Sequence, residues 1–149
     1  MNKNKKLGNE CVFCQIVKKQ IPALIIAKNS KAIALLDINP ISDGHTIIIP
    51  KKHYCDWQNT PPKVLSSIVK LSNKVIKILN KSLPIKPLGY NYVSNQGKIA
   101  GQQVFHFHLH IIPKYRENEG FKLNHGKIKV KKIKEIYEYL WKMNKFYDN

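Results

Sequence analysis

The stretch 104–112 reads Val-Phe-His-Phe-His-Leu-His-Ile-Ile, and its histidines alternate with apolar residues. Alternation with a period of two predicts a strand, because successive side chains of a strand point to opposite faces. We therefore predict a strand over residues 103–112 with His106, His108 and His110 on one face. The apolar face belongs against a core, whereas the other face presents three imidazoles spaced about 6–7 Å apart.

The histidine row admits three interpretations. Histidine titrates near neutral pH, binds metals and acts as a base or nucleophile, so the row predicts either catalysis or a metal site. The structural alternative is a half-exposed strand whose outer face happens to carry histidine. Three of the six histidines fall within five residues, which favours a chemical role.

Composition indicates one globular domain. The chain has 149 residues, 43% of them hydrophobic, which is enough for a single core. It carries 26 basic and 9 acidic residues, a net charge of +17. Such a charge attracts nucleotides, nucleic acid or anionic surfaces, and composition alone does not choose among them. Arg116 is the only arginine.

The sequence also predicts a cellular location. The basic N-terminus lacks the apolar run of a signal peptide, and no apolar stretch approaches the ~20 residues of a transmembrane helix. The three cysteines, Cys11, Cys14 and Cys55, are an odd number and do not resemble a disulfide framework. We therefore expect a cytoplasmic, reducing environment and no transmembrane segment.

Apolar periodicity predicts eight elements of secondary structure, three helices and five strands. Apolar spacing of 3.6 residues indicates helices, and short β-rich runs bounded by turn residues indicate strands. In chain order we predict a helix at 11–19, strands at 24–27, 32–36 and 45–50, a helix from Pro61-Pro62 to about Leu79, strands at 90–94 and 103–112, and a helix around 133–141. Most strand connections are too short for parallel crossovers. The predicted fold is α+β, a five-stranded, mainly antiparallel sheet with helices on one face.

The domain organisation follows from the same pattern. Residues 1–9 are predicted to be a disordered basic lead-in. Residues 10–115 form the main domain. Residues 116–149 form a basic, lysine-rich C-terminal extension with a helix that packs on the same domain.

Two further motifs could take part in chemistry. Cys11 and Cys14 form a Cys-x-x-Cys pair, which can be redox-active, metal-binding or accidental. Tetrahedral zinc needs two more ligands, and spacing leaves open which of Cys55 and the six histidines supply them. The loop 95–103 contains Gly97 and Gly101, which let backbone N–H groups approach an anion.

Asp37 is an isolated acid at the end of a predicted strand. It either caps the following loop or holds ribose hydroxyls, as acids at strand ends do in other nucleotide-binding folds.

Together these motifs resemble the histidine triad (HIT) family, whose signature is His-φ-His-φ-His-φ-φ, where φ is an apolar residue. Residues 106–112 fit every position of it. The resemblance extends over residues 10–115 through the Cys-x-x-Cys pair, Ile21-Pro22-Ala23, Leu36-Asp37-Ile38, Gly44-His45, the segment 49–53 and the segment 95–102. The chain is most similar to the histidine triad nucleotide-binding branch in its bacterial, zinc-carrying form.

The resemblance implies a homodimer that joins two five-stranded sheets. It also implies a hydrolase or nucleotidyl transferase that acts at the α-phosphate of purine nucleotide derivatives, of the nucleoside phosphoramidate or AMP-ester type. His108 would be the nucleophile that forms a covalent nucleotidyl-histidine. His110 would contact phosphate oxygens, and His45 would support the nucleophile.

The resemblance further implies a binding site and a structural zinc. The expected nucleotide contacts are Phe13, Ile16, Leu36, Asp37, Ile38, Asn95, Gln103, Val104, His108 and His110. The expected zinc ligands are Cys11, Cys14, His53 and His106. Gln103 stands where many members have a serine or threonine that helps to protonate the leaving group, so the leaving-group preference stays open.

Other functions compete with this one. The chain could hydrolyse dinucleoside polyphosphates, or be a zinc-stabilised nucleotide sensor with little turnover. It could be a hydrolase whose catalytic zinc is held by all three histidines of the row. Nucleic-acid binding ranks last, because clustered aromatic residues for base stacking are not evident.

Overall fold

The fold is described by a computed structural model that covers residues 11–124, 126 and 129–144. The predicted basic lead-in over residues 1–9 lies outside the described residues.

A five-stranded antiparallel sheet forms the centre of the domain and confirms the predicted fold class. The strands are β1 (Ile25–Lys28), β2 (Ala32–Leu36), β3 (Thr46–Pro50), β4 (Gly89–Val93) and β5 (Leu109–Lys114). Their order across the sheet is β1-β2-β3-β5-β4, with every neighbouring pair antiparallel. The last strand therefore inserts between β3 and β4, which places the end of the histidine row near the middle of the sheet.

Within the described residues, three α-helices accompany the sheet. They are α1 (Val12–Val17), α2 (Pro62–Ser82) and α3 (Ile133–Asn144), and a short 3-10 turn spans Lys98–Ala100. Proline within the first turn of α2 suits a helix start, since the amide hydrogen that it lacks has no intrahelical partner there. The predicted stripe of α2 is buried; it consists of Val64, Ile68, Leu71, Val75 and Leu79.

The two faces of the sheet are covered by different helices. The apolar stripe of α2 packs with Ala32, Ala34 and Ile48 on one face. The sequence prediction placed all helices on that face, whereas α1 packs on the opposite one, against Ile33 and Ile47. The reason is that β2 and β3 are continuous apolar runs, so both of their faces need cover.

The histidine row differs from the predicted strand at its start. The ladder of β5 begins only at Leu109, so the prediction of a strand from residue 103 is wrong for 103–108. The Phe107 amide donates its hydrogen bond to the carbonyl of Tyr54, in the loop after β3. The alternation of faces is kept without a ladder. Phe107 joins the core under α2, and His106 and His108 contact Phe13 beside the other face.

The C-terminal helix α3 exposes its side chains. Every side chain described in it is exposed, including Tyr137, Leu140 and Trp141. Its packing on the domain therefore stays a prediction. Within the described part of the chain, no helix is both long and apolar enough to cross a membrane.

A testable consequence concerns Gly44, which ends the β2–β3 connection. Its φ of +79° lies in the left-handed region, where a Cβ is strained, and an added Cβ would lie 2.9 Å from Leu83 Cδ1. We expect Gly44→Ala to lower the free energy of unfolding by about 1–2 kcal/mol, measured by urea denaturation.

Gly89→Ala is the matched control. Gly89 has no atom within 4 Å of an added Cβ, and its φ lies outside the left-handed region. Equal losses in the two variants would contradict the strain argument.

Candidate functional site

A cavity of about 500 Å³ opens beside the histidine row. The ten residues expected to contact a nucleotide all line it, as does His45. They come from α1, from the end of β2, from the glycine loop and from the histidine row. The structure thus brings together segments that lie up to about a hundred positions apart in the sequence.

The apolar part of the cavity is formed by α1 and the end of β2. Phe13 and Ile16 are buried there, Leu36 lines the cavity from the end of β2, and Ile38 lines it from the following loop. Leu35 and Ile47 also line the cavity, and the sequence prediction omitted them. The sequence feature that could have indicated these two residues is the continuous apolar run of β2 and of β3, because the second face of each strand also needs cover.

His108 has one ring nitrogen engaged with the backbone. Its Nδ1 lies 2.7 Å from the carbonyl oxygen of His106. A carbonyl only accepts, so Nδ1 must carry the hydrogen and donate it. In the neutral ring Nε2 then has a free lone pair. His108 is 8% exposed, in edge contact with Phe13, so this nitrogen belongs to a sheltered but accessible ring.

A hydrogen-bond chain fixes the rings of His45 and His110. The amide of Ile41 donates to His45 Nδ1 over 3.1 Å, so the neutral His45 ring carries its hydrogen on Nε2. That Nε2 lies 3.0 Å from His110 Nδ1 and donates to it. The neutral ring of His110 therefore carries its own hydrogen on Nε2, where it can be donated to a ligand oxygen.

Burial keeps both rings neutral. It lowers the pKa of His110 to about 4, with a further lowering from the neighbouring His108 and His45. Burial also lowers the pKa of His45, against the opposing influence of Asp37. At neutral pH the chain from Ile41 to His110 is therefore a chain of neutral hydrogen bonds.

Asp37 caps the loop after β2 and also faces the cavity, whereas its contact with a ribose stays a prediction. Its Oδ1 accepts a hydrogen bond of 2.8 Å from the Asn39 amide, which caps the loop after β2. Its Oδ2 lies 3.6 Å from His45 Nε2 and 3.9 Å from His110 Nδ1, at the cavity. These three side chains are close enough to share a metal ion. However, His45 Nε2 carries a hydrogen and offers no lone pair to one, so we interpret the group as a hydrogen-bond chain.

Next to the cavity, the four expected zinc ligands Cys11, Cys14, His53 and His106 converge. His106 Nδ1 lies 3.4 Å from Cys11 Sγ, 3.6 Å from Cys14 Sγ and 3.2 Å from His53 Nδ1, and Cys14 Sγ lies 3.3 Å from His53 Nδ1. A tetrahedral zinc with bonds of about 2.0–2.3 Å requires ligand atoms about 3.3–3.6 Å apart when nitrogen is involved. The four side chains therefore fit a closed zinc site.

The protonation of this cluster agrees with metal binding. His106 Nε2 donates to the Pro50 carbonyl over 2.9 Å, which leaves the Nδ1 lone pair for the cluster. Burial lowers the pKa of His106 to about 4, so the ring is neutral. Burial and Cys11 raise the pKa of Cys14 to about 11, so its thiolate needs a cation beside it. Within the described residues, this cluster contains His106 but neither His108 nor His110. It therefore does not match a catalytic zinc held by all three histidines of the row.

Sequence reasoning missed the residue that shapes the glycine loop. Gln102 is 3% exposed and its Oε1 accepts a hydrogen bond of 2.8 Å from the Gly97 amide. Its Nε2 donates to the carbonyls of Cys55 and Val104, over 2.7 and 3.1 Å. It therefore ties the loop to the segment after His53. Only its position between Gly101 and the histidine row could have indicated this role.

Comparison with known proteins finds a matching family model and several similar sequences. The HIT domain model matches residues 18–117. The chain is 45% identical over 134 residues to an uncharacterized HIT-like protein of Mycoplasma genitalium, a match that covers 90% of this chain and 94% of that protein. It is 40% identical over 112 residues to the adenosine 5'-monophosphoramidase HNT1 of Candida albicans, which covers 74% of each protein.

A solved structure of similar fold carries zinc. It is the structure of a Zn-bound histidine triad family protein from Mycobacterium smegmatis, with 35% identity and a TM-score of 0.68. The match covers 74% of this chain and 79% of that one.

Metal content provides a direct test of the Cys/His cluster. We expect about one zinc per chain by elemental mass spectrometry, and we expect Cys14→Ala to lose it with a lower melting temperature, because a structural zinc stabilises the folded state. Cys55→Ala is the control, since Cys55 lies outside the cluster. A Cys14→Ala protein with unchanged zinc would contradict the assignment.

Acid should destabilise the fold partly through His110. Its pKa is 6.5 in an unfolded chain and about 4 in the fold. Between these values the unfolded chain binds more protons, so stability present above pH 6.5 is lost as the pH falls toward 4. We expect His110→Asn to reduce this loss by up to about 3 kcal/mol in urea titrations at fixed zinc. Parallel stability curves for the two proteins over this range would contradict it.

Proposed function

Because the chain belongs to the HIT domain family, we propose that it hydrolyses or transfers the nucleotidyl group of purine nucleotide derivatives through a covalent intermediate on His108. The observation that carries the proposal is the Nε2 lone pair of His108, left free by the Nδ1 hydrogen bond, on a ring that lines a nucleotide-sized cavity. Small-molecule sites typically enclose about 300–1,000 Å³. The Candida albicans relative named as a phosphoramidase supports an AMP phosphoramidate as substrate.

The lining of the cavity supports one orientation of the nucleotide. The base would lie against Phe13 and Ile16, with Leu36 and Ile38 at its edge, and Asp37 would accept hydrogen bonds from the ribose hydroxyls. The phosphate would then lie at the polar end, among Asn95, Gln103, Val104, His108 and His110.

The proposed reaction has two displacements. His108 Nε2 attacks the α-phosphorus, the bond from phosphorus to the leaving group breaks, and a nucleotidyl-histidine forms. Water then attacks the same phosphorus, which breaks the P–N bond and releases the nucleotide. The His106 carbonyl accepts the Nδ1 hydrogen throughout and stabilises the positive charge that develops on the ring.

His110 would stabilise charge on the phosphate. Its Nε2 hydrogen is available for a non-bridging oxygen because His45 donates to its Nδ1. A ring held neutral by burial binds the phosphate as a hydrogen-bond donor. Gln103 stands where many family members have a serine or threonine. Its side-chain amide can donate a hydrogen bond to the leaving group but does not protonate it. Sulfate would therefore leave without a proton from this residue, whereas the amine of a phosphoramidate would take its proton from solvent.

The zinc is proposed to be structural. When bound, it would cross-link the cysteines of α1 to His53 and His106, and so hold the wall of the cavity together. His106 would serve the metal, which leaves His108 and His110 to the substrate.

Assembly and location complete the proposal. Strand β4 is an edge strand with Tyr92 exposed, which supports a homodimer that joins two sheets. None of the three cysteines forms a disulfide, which supports a cytoplasmic location.

Substitution of the nucleophile tests the proposal. We expect His108→Ala to lose at least about a thousandfold in kcat against adenosine and guanosine phosphoramidates, adenylyl sulfate and dinucleoside polyphosphates. His110→Gln keeps a hydrogen-bond donor and should retain more activity. Both variants should retain zinc and melt near the native temperature, which separates chemistry from folding.

The stereochemistry at phosphorus distinguishes two displacements from one. A chiral phosphorothioate analogue should be hydrolysed with retention of configuration, because each displacement inverts the phosphorus once. Inversion would indicate direct attack by water. Full turnover by His108→Ala would exclude His108 as the nucleophile. Nucleotide binding by the native protein without turnover of any of these substrates would favour the sensor function.

A further inference from the structure

A second cavity lies on the other side of the sheet from the histidine row. It encloses about 470 Å³ between the β1–β2 turn and the N-terminal half of α2. We call it the lysine cleft; its lining residues are Lys28, Asn29, Ser30, Lys31, Lys63, Ser66, Ser67, Lys70, Leu71 and Lys74. Because α2 covers the face opposite to α1, the sheet separates this cleft from the histidine cavity.

All the charged side chains that line the cleft are basic. It contains five lysines and no acidic side chain. Lys63, Lys70 and Lys74 recur at helical spacing, so they form one stripe that extends about 16 Å along α2. Lys28, at the end of β1, and Lys31, in the turn after it, line the cleft on the side of the strands.

The start of α2 adds to the positive potential. The first turn of the helix contains no acidic residue, and Lys63 lies in it. A helix N-terminus carries a partial positive charge, so a lysine there is unfavourable for the isolated helix. The free energy that this arrangement costs would be recovered when an anion binds.

Hydrogen bonds hold the two walls of the cleft in place. The Asn29 side chain accepts hydrogen bonds from the amides of Lys31 and Ala32, over 2.9 and 2.8 Å. Its Nδ2 donates to the Ser67 carbonyl over 2.8 Å, which fastens the turn to α2. Leu71 is buried at the base of the cleft. The cleft is therefore formed before any ligand arrives.

We propose that the lysine cleft binds a linear oligophosphate. A row of ammonium groups along one wall, opposed by two more, suits several phosphates joined in a chain, and the hydroxyls of Ser30 and Ser66 can donate to the same oxygens. The lining contains no aromatic side chain on which a base could stack, which favours a phosphate chain over single-stranded nucleic acid. This inference is independent of the proposed reaction at His108.

Calorimetric titration with inorganic tripolyphosphate at about physiological ionic strength tests the inference. The cleft variant is Lys31→Gln, Lys63→Gln and Lys70→Gln combined. The matched variant is Lys86→Gln, Lys122→Gln and Lys134→Gln, three exposed lysines outside the cleft that remove the same charge. Melting temperatures confirm that each variant is folded.

The expected result is one saturable site per chain, weakened at least about tenfold in the cleft variant and less than about twofold in the matched variant. Equal weakening in both variants would show diffuse attraction by the net charge, and unchanged binding in the cleft variant would show that the anion binds outside the lysine cleft. Either result overturns the proposal. A single-stranded RNA that binds far more tightly than tripolyphosphate, and is lost in the cleft variant, would assign the cleft to nucleic acid instead. Absence of saturable binding would also overturn it.

Discussion

The candidate site depends on backbone groups that fix which nitrogen of each imidazole carries hydrogen. The carbonyls of Pro50 and His106 hold the hydrogens of His106 Nε2 and His108 Nδ1, and the Ile41 amide occupies His45 Nδ1. Since a neutral imidazole has one hydrogen and one lone pair, each of these bonds determines the chemistry of the opposite nitrogen. The three histidines of the row therefore differ. His106 keeps an Nδ1 lone pair in the Cys/His cluster, His108 keeps an Nε2 lone pair at the cavity, and His110 keeps an Nε2 hydrogen there.

The sheet separates these polar functions from the core. Phe107, Leu109 and Ile111 lie under α2, so the segment that carries the histidines is anchored in the main hydrophobic cluster. On the other side, the short helix α1 contributes to the apolar cavity wall, and the Cys-x-x-Cys pair at its start contributes to the Cys/His cluster. The position of a helix of only six residues is therefore linked to both sites.

Much of the fold could be predicted from local pattern. The five strands, the long helix and its buried stripe follow from apolar periodicity, since burial of a face is a property of spacing. Two features could not be predicted in this way. The ladder starts at Leu109 because Tyr54, from a distant loop, takes the amide of Phe107. The continuous apolar runs of β2 and β3 indicate that the second face needs cover, but local pattern does not identify α1 as the element that provides it.

The sequence by itself determined which residue types are available and in what order: an alternating histidine row, a Cys-x-x-Cys pair, a glycine loop and an acid at a strand end. The structure places most of these at one cavity, and it places the Cys-x-x-Cys pair with His53 and His106 in the Cys/His cluster next to it. Only the tertiary structure decided the tautomers of His45, His106, His108 and His110, the linking role of Gln102 and the lysine cleft. The physical reason is that hydrogen bonds and cavities of this kind join atoms from segments distant in sequence, such as Pro50 to His106 and Asn29 to Ser67.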